Sequence, residues 1–98
     1  MRLMIFFIKK NIEGSIVVNL AFIGKNKMKK LATNYKNEPV ALPVLSFKYN
    51  EKQDNEVLLG EIFICYPQAV LLAAERNKKV DETINNLIIH GLENLVNN

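Results

Sequence analysis

The run IVVNLAFI, Ile16 to Ile23, limits the folds open to this chain more than any other stretch. Its valine, isoleucine and phenylalanine content favours a β-strand, and Asn19 is its only polar residue. A strand with one face in water alternates apolar and polar residues, whereas this run is apolar on both sides. The sequence therefore predicts a strand that is covered on both faces and ends at Gly24.

The rest of the chain mixes strand-like runs with segments of helical spacing. Further strands are predicted at Leu3–Ile8, at VLSFKY and at VLLGEIFIC, the last with Gly60 at a bulge or a close approach. Helices are predicted at Asn26–Tyr35, at about Gln68–Arg76, which Asn77 ends, and after Asp81, which can cap the last one. Connections are predicted at Asn11–Ser15, at NEPVALP with its two prolines, and at YNEKQDNE. These elements predict an α+β domain with helices packed on a small mixed sheet.

Length and composition indicate one ordinary globular domain. A chain of 98 residues suffices for one core but hardly for two, and 49% hydrophobic with 23% charged residues is typical of globular proteins. The apolar part of MRLMIFFIKK is too short for a signal peptide, and no segment reaches the ~20 apolar residues of a membrane span. We therefore expect a cytoplasmic protein that does not bind membranes. Its single cysteine, Cys65 in the apolar run EIFIC, is expected to be buried and unreactive.

The net charge of +3 is unevenly distributed along the chain. GKNKMKKLATNYK contains five lysines and no acidic residue: Lys25, Lys27, Lys29, Lys30 and Lys36. A local basic surface of this kind can bind phosphates by charge alone, with an affinity that falls as salt rises. The alternative is a solvated lysine face on a short helix.

The last helix has two distinct faces. An apolar stripe is formed by Ile84, Leu87, Ile88, Leu92, Leu95 and Val96, and Gly91 falls on it, which predicts a close approach to a neighbouring element. The opposite face holds Asn86, His90, Glu93, Asn94 and Asn97. His90 is the only histidine of the chain, and its position allows either a metal ligand or a residue of a solvated polar face.

Three stretches of this sequence resemble signatures of the YbeY family. The first stretch, LATNYKNEPVALPVLSFK, is similar to the family signature L-N-x-x-Y-R-x-K-D-x-P-T-D-V-L-S-F-P. In this chain Lys36 occupies the position of the family's functional arginine, and Leu42-Pro43 replace Thr-Asp. Leu59-Gly60-Glu61-Ile62 resembles L-G-D-I. His90-Gly91-Leu92 matches the start of H-G-x-x-H-x-x-G-Y-D-H, Asn94 stands where the second histidine is expected, and the third would lie beyond Asn98.

The resemblance implies a zinc-hydrolase-like α+β domain and a bacterial metal-dependent endoribonuclease that acts in ribosomal RNA maturation. It covers about Val17 to Leu95, so residues 1–98 are expected to form a single YbeY-like domain that lacks the usual carboxyl-terminal end. The family's cofactor is zinc, for which His90 would be one ligand and Glu93 a substitute ligand. Lys36 would contact phosphate, although a lysine lacks the planar fork with which arginine forms two parallel hydrogen bonds. The lysine set Lys25, Lys27, Lys29 and Lys30 would bind RNA.

Two functions follow as hypotheses of different classes. The first is a ribosomal RNA maturation factor of the endoribonuclease type, with catalysis impaired because a catalytic zinc ion needs three protein ligands. The second is a non-catalytic RNA- or ribosome-binding module that has lost its metal site. A decayed gene product without a selected function is a third interpretation. The expected partners are ribosomal RNA or a ribosomal subunit, and uncovered apolar surface also predicts self-association.

Overall fold

The computed structural model of the chain describes residues 2–9 and 12–96, which form four strands and three helices. Their order is β1 (Arg2–Lys9), β2 (Ile12–Ile23), α1 (Lys25–Lys36), β3 (Val44–Gln53), β4 (Glu56–Cys65), α2 (Tyr66–Glu75) and α3 (Val80–Val96). The strands form one sheet in the order β1-β2-β4-β3. Its outer pairs are antiparallel and the central β2–β4 pair is parallel, so the predicted α+β fold with a mixed sheet is confirmed.

Helices cover both faces of this sheet. Val18, Leu20, Ile62 and Ile64 form one core with residues of α2 and α3, and Leu45 and Cys65 form a second core with Met28 of α1. Side chains of consecutive strand residues point to opposite faces, so Ile64 and Cys65 enter different cores. Val17 and Val18 are also consecutive, and both are buried. The prediction that this strand is covered on both faces is confirmed, and so is the burial of Cys65.

Two glycines allow α3 to pack closely on β3 and β4. A Cβ atom at Gly91 would lie 2.9 Å from Ile62 Cγ2 and 3.1 Å from Ser46 Oγ. A Cβ atom at Gly60 would overlap the carbonyl oxygen of Phe47 and would lie 2.7 Å from Leu95 Cδ2. Only glycine fits such approaches without moving its neighbours. Both predicted close approaches are therefore confirmed.

Two predicted connections are wrong in part, and one cap is misplaced. The strand β2 already begins at Ile12, so its pairing with β1 takes in Gly14; Asn11 lies outside the described residues. In the segment predicted as a polar connection, β3 continues to Gln53 and β4 begins at Glu56, so the loop shrinks to a two-residue turn. Strand propensity gives little indication of these strand ends, because pairing of their backbones with the neighbouring strand extends them. The helix α3 begins at Val80, which places Asp81 in its first turn instead of at its cap.

No helix within residues 2–9 and 12–96 has the length and apolar character that crossing a membrane requires.

Candidate nucleic-acid interface

The segment after α1 positions Lys36 against the start of β3. Asn37 has φ 58°, and its backbone N–H donates to the carbonyl oxygen of Ala32, which ends the helix directly after Lys36. The loop that follows is fixed at two points, because Gln68 Nε2 donates to Ala41 O at 2.7 Å and Cys65 N donates to Pro43 O at 3.0 Å. These contacts fix the backbone that follows α1, which places the end of the helix beside the start of β3.

A cleft of about 240 Å³ lies where the end of α1, the edge strand β3 and the carboxyl-terminal half of α3 meet. We call it the basic cleft, and its lining residues are Lys36, Val44, Leu45, Ser46, Lys48, Asn94 and Leu95. Two of them were singled out from the sequence, namely Lys36 in the arginine position and Asn94 in the second histidine position. The fold brings these two residues to one cavity although 58 positions separate them along the chain.

Contacts between β3 and α3 set the shape of the basic cleft. Ser46 Oγ donates a hydrogen bond to the carbonyl oxygen of Gly91 at 3.3 Å, and the absence of a side chain at Gly91 permits this approach. Asn94 follows Gly91 by three residues and is exposed at the cleft. A strand places alternate residues on one face, so Ser46 and Lys48 lie on the same side of β3. The cleft therefore combines two ammonium groups with an amide and a hydroxyl.

His90 does not line the basic cleft. It lies on the exposed face of α3, one helical turn before Asn94, and Glu93 is exposed beside it. Among residues 2–9 and 12–96, no group of three or more histidine, cysteine, aspartate or glutamate side chains could hold a metal ion. A catalytic zinc site takes three protein ligands and keeps one position open. The described residues therefore do not fit a zinc ion.

The other lysines singled out from the sequence form an exposed surface along α1. Lys25, Lys27, Lys29 and Lys30 are all exposed, whereas Met28 and Ala32 face the core. The first turn contains no acidic residue. Cations near a helix amino terminus oppose the helix dipole and typically cost about 0.3–1 kcal/mol each. Helix stability therefore does not explain Lys25 and Lys27, which lie in the first turn.

A second cavity, of about 260 Å³, lies on the other side of β3, and we call it the aromatic pocket. Its lining residues are Leu31, Tyr35, Phe47, Tyr49, Glu61 and Phe63. The rings of Tyr35 and Phe47 meet edge to face with centroids 5.0 Å apart, and those of Phe47 and Phe63 do so at 5.7 Å. Edge-to-face contact is a preferred geometry for aromatic pairs. The pocket wall is thus a connected set of rings.

The polar end of the aromatic pocket is a tyrosine–carboxylate pair. Tyr49 Oη donates a hydrogen bond to Glu61 Oε1 at 2.8 Å. This bond raises the pKa of Tyr49 from 10.0 to about 12, with smaller contributions from burial and from the negative charge of Glu61. The hydrogen bond keeps the Glu61 carboxylate in place, and the raised pKa extends the protonated state of the hydroxyl to more alkaline pH.

Sequence reasoning missed Lys48 in the basic cleft and Tyr49 with Glu61 in the aromatic pocket. The signal that could have found them is the period of two along VLSFKY, which puts Ser46 and Lys48 on one face and Phe47 and Tyr49 on the other. The partner strand then matters, because Phe47 pairs with Glu61 across the β3–β4 ladder. The sequence of one strand does not show which residues of the neighbouring strand pair with it.

Comparison with known proteins gives one family. The family model described as Endoribonuclease YbeY matches residues 2–96. The chain is 31% identical over 86 residues to the Endoribonuclease YbeY of Janthinobacterium sp. (strain Marseille), covering 88% of this chain and 57% of the relative. It is 29% identical over 91 residues to that of Malacoplasma penetrans (strain HF-2), covering 92% and 61% respectively. The chain thus spans less than two thirds of the length of these relatives.

Proposed function

Because this chain belongs to the YbeY family of endoribonucleases, we propose that it acts as a ribosomal RNA maturation factor whose own catalysis is impaired. One observation supports this above all. Lys36, in the position of the family's functional arginine, shares the basic cleft with Lys48 and with Asn94, in the position of a family histidine. The cleft has kept its positive charge, while an amide has replaced an imidazole.

The residues of the cleft suit the binding of an RNA phosphate. The ammonium groups of Lys36 and Lys48 attract the phosphate, and their attraction weakens as salt rises. The Ser46 hydroxyl donates to Gly91 O, so we assign it to the contact between β3 and α3. An ammonium group offers a point charge, so Lys36 holds a phosphate with less control of its orientation than a guanidinium would.

Hydrolysis is the part of the proposal that these residues support least. The family resemblance implies zinc, which would supply a Lewis acid and an activated water. His90 is the only imidazole of the chain, and Glu93 is the nearest substitute ligand on the same face of α3. Two ligands are fewer than a catalytic zinc site requires. We therefore assign binding and positioning of RNA to this chain and expect its hydrolysis to be impaired.

A second candidate function follows from the same observation on metal ligands. In the described part of the chain no three suitable side chains come together, which favours a non-catalytic RNA- or ribosome-binding module. In either case the partner is ribosomal RNA or a ribosomal subunit in the cytoplasm. The exposed lysines Lys25, Lys27, Lys29 and Lys30 would extend the RNA contact along α1.

RNA binding tests the proposed role of the basic cleft. Fluorescence anisotropy of a labelled ribosomal RNA fragment would be measured at several salt concentrations for wild type, Lys36→Ala and Lys79→Ala. Lys79 is an exposed lysine before α3 and outside the cleft, so it controls for the loss of one charge. We expect Lys36→Ala to bind several-fold more weakly and to lower the salt slope by about one. Equal losses in the two variants would refute a role for the cleft.

Cleavage separates the two candidate functions. The same RNA would be incubated with added zinc and with wild type, His90→Ala or Glu93→Gln. Cleavage by wild type that both substitutions abolish would support the endoribonuclease. Binding without cleavage would support the RNA-binding module, and equal cleavage by all three proteins would show that His90 has no enzymatic role.

A further inference from the structure

The aromatic pocket has the chemistry of a site for a single nucleobase. Three aromatic rings in edge-to-face contact form its wall, and 67% of the Tyr35 surface is exposed. Every base has a π-face, and proteins that bind single-stranded RNA stack bases on such side chains. The volume of about 260 Å³ is below the ~300–1,000 Å³ of pockets for drug-sized ligands, so one base fits better than a larger group.

The position of the pocket connects it to the basic cleft. Lys48 and Tyr49 are consecutive residues of β3, so their side chains lie on opposite faces of this edge strand. Lys36 and Tyr35 are likewise consecutive at the end of α1, one lining each cavity. An RNA strand that crosses the edge of the sheet can therefore place a phosphate in the cleft and a neighbouring base in the pocket. Lys27, one helical turn before Leu31, adds a cation near the pocket.

The polar end of the pocket determines which base it accepts. A carboxylate only accepts hydrogen bonds, and Tyr49 uses one lone pair of Glu61 Oε1, which leaves the second lone pair of Oε1 and both of Oε2 for a base. A base with donors on its Watson–Crick edge is favoured, and guanine offers two adjacent donors, N1–H and the exocyclic amino group. Uracil offers one N–H between two carbonyl oxygens, which a carboxylate repels. The order of preference is guanine first, adenine and cytosine next, and uracil last.

We propose that the aromatic pocket binds one unpaired base of the RNA that the basic cleft holds by its phosphates, with a preference for guanine. This inference rests on the proposed RNA-binding function. It adds a site for a base, with Tyr35 as the stacking residue and Glu61 as the residue that sets base preference.

The test compares short oligouridines that carry a single central guanosine, adenosine, cytidine or uridine. Binding to wild type, Tyr35→Ala, Tyr35→Phe and Glu61→Gln would be measured by fluorescence anisotropy. Tyr66→Ala is the matched control, since Tyr66 is an exposed tyrosine of α2 outside the pocket. Thermal unfolding of each variant would show that the fold is kept.

We expect wild type to bind the guanosine oligomer roughly tenfold more tightly than oligouridine, as one well-formed bidentate contact allows. Tyr35→Ala should weaken binding by about tenfold, while Tyr35→Phe and Tyr66→Ala bind like wild type, because stacking needs the ring and not the hydroxyl. Glu61→Gln should remove most of the guanosine preference, since an amide can donate to a uracil carbonyl. Because thermal unfolding shows whether this variant is folded, a lost guanosine preference with retained oligouridine binding reports on recognition directly.

Two negative results have different meanings. If the oligomers bind in a Lys36-dependent manner but Tyr35→Ala and Glu61→Gln change neither affinity nor base preference, the base site is refuted and the proposed function stands. If wild type binds none of the oligomers or ribosomal RNA fragments at low salt, both the proposed function and the base site are refuted.

Discussion

Substitution of Gly60 by alanine should destabilise the fold more than the same substitution at Gly24 or Gly91. The added Cβ would overlap the carbonyl oxygen of Phe47 and would approach Leu95 Cδ2 to 2.7 Å, about 1 Å less than an ordinary carbon–carbon contact. Phe47 belongs to a strand that is hydrogen-bonded to β4 next to Gly60, so its backbone cannot move away without breaking the ladder. We place the cost near or above the upper end of the usual range for overpacking, about 3 kcal/mol.

Urea unfolding followed by circular dichroism measures this cost. With a slope of about 1.5 kcal/mol per M, a loss of 3 kcal/mol lowers the midpoint by about 2 M. Gly24→Ala is the control for steric overlap, because a Cβ atom there meets nothing within 4 Å and its φ of −84° suits alanine; as the amino-terminal cap of α1 it should lose about 1 kcal/mol at most. Gly91→Ala should fall between the two, since its neighbours are side-chain atoms and alanine gains about 1 kcal/mol in helix propensity. A Gly60→Ala midpoint equal to that of Gly24→Ala would refute the reasoning.

Three further predictions concern single groups. Thr83 is 3% exposed, and its hydroxyl has no hydrogen-bond partner in the part of the chain that the structure describes. Thr83→Val should therefore stabilise the fold by about 1 kcal/mol and raise the thermal midpoint, whereas a lower midpoint would contradict this prediction. Tyr49 should ionise near pH 12 in an absorbance titration, and closer to pH 10.0 in Glu61→Gln. Because folding raises the pKa of Tyr49, its contribution to stability is complete below pH 10 and is lost as the pH rises through about 12. Elemental analysis after dialysis should find substoichiometric zinc in both wild type and His90→Ala, and one zinc ion per chain in wild type alone would show that His90 has found other ligands.

The buried parts of the fold were predictable because burial leaves a pattern in the sequence. Apolar residues on both faces identified β2, and helical spacing identified α1 and α3. The position of Gly91 on the apolar stripe of α3 predicted the close approach of this helix to the sheet. The hairpin of β3 and β4 was predicted with a long loop, and the extension of its strands into that loop left no such pattern because the sequence NEKQDNE is polar throughout. The turn of this hairpin is identified only by the structure, in which Asp54 has φ 51°.

Only some residues of the site were predictable from the sequence, and their arrangement was not. Family signatures singled out Lys36, His90 and Asn94, but only the fold shows that Lys36 and Asn94 share a cavity from which His90 is excluded. The aromatic pocket depends on three elements and on the β3–β4 register, which no local pattern specifies. Tyr35 and Glu61 therefore became a candidate pair only once their neighbours were known.

The two edges of the sheet differ in how readily they can pair with another chain. At one edge, β3 is irregular between Lys48 and Glu51, where Asn50 has φ 57°, and it has exposed lysines. Bulges and lysines are devices that oppose strand-to-strand aggregation. At the other edge, β1 pairs with β2 without a register shift, and its sequence RLMIFFIK is apolar between basic ends. Any association of two copies through strand addition is therefore directed to β1, the edge away from the basic cleft, and a dimer formed there leaves the cleft accessible.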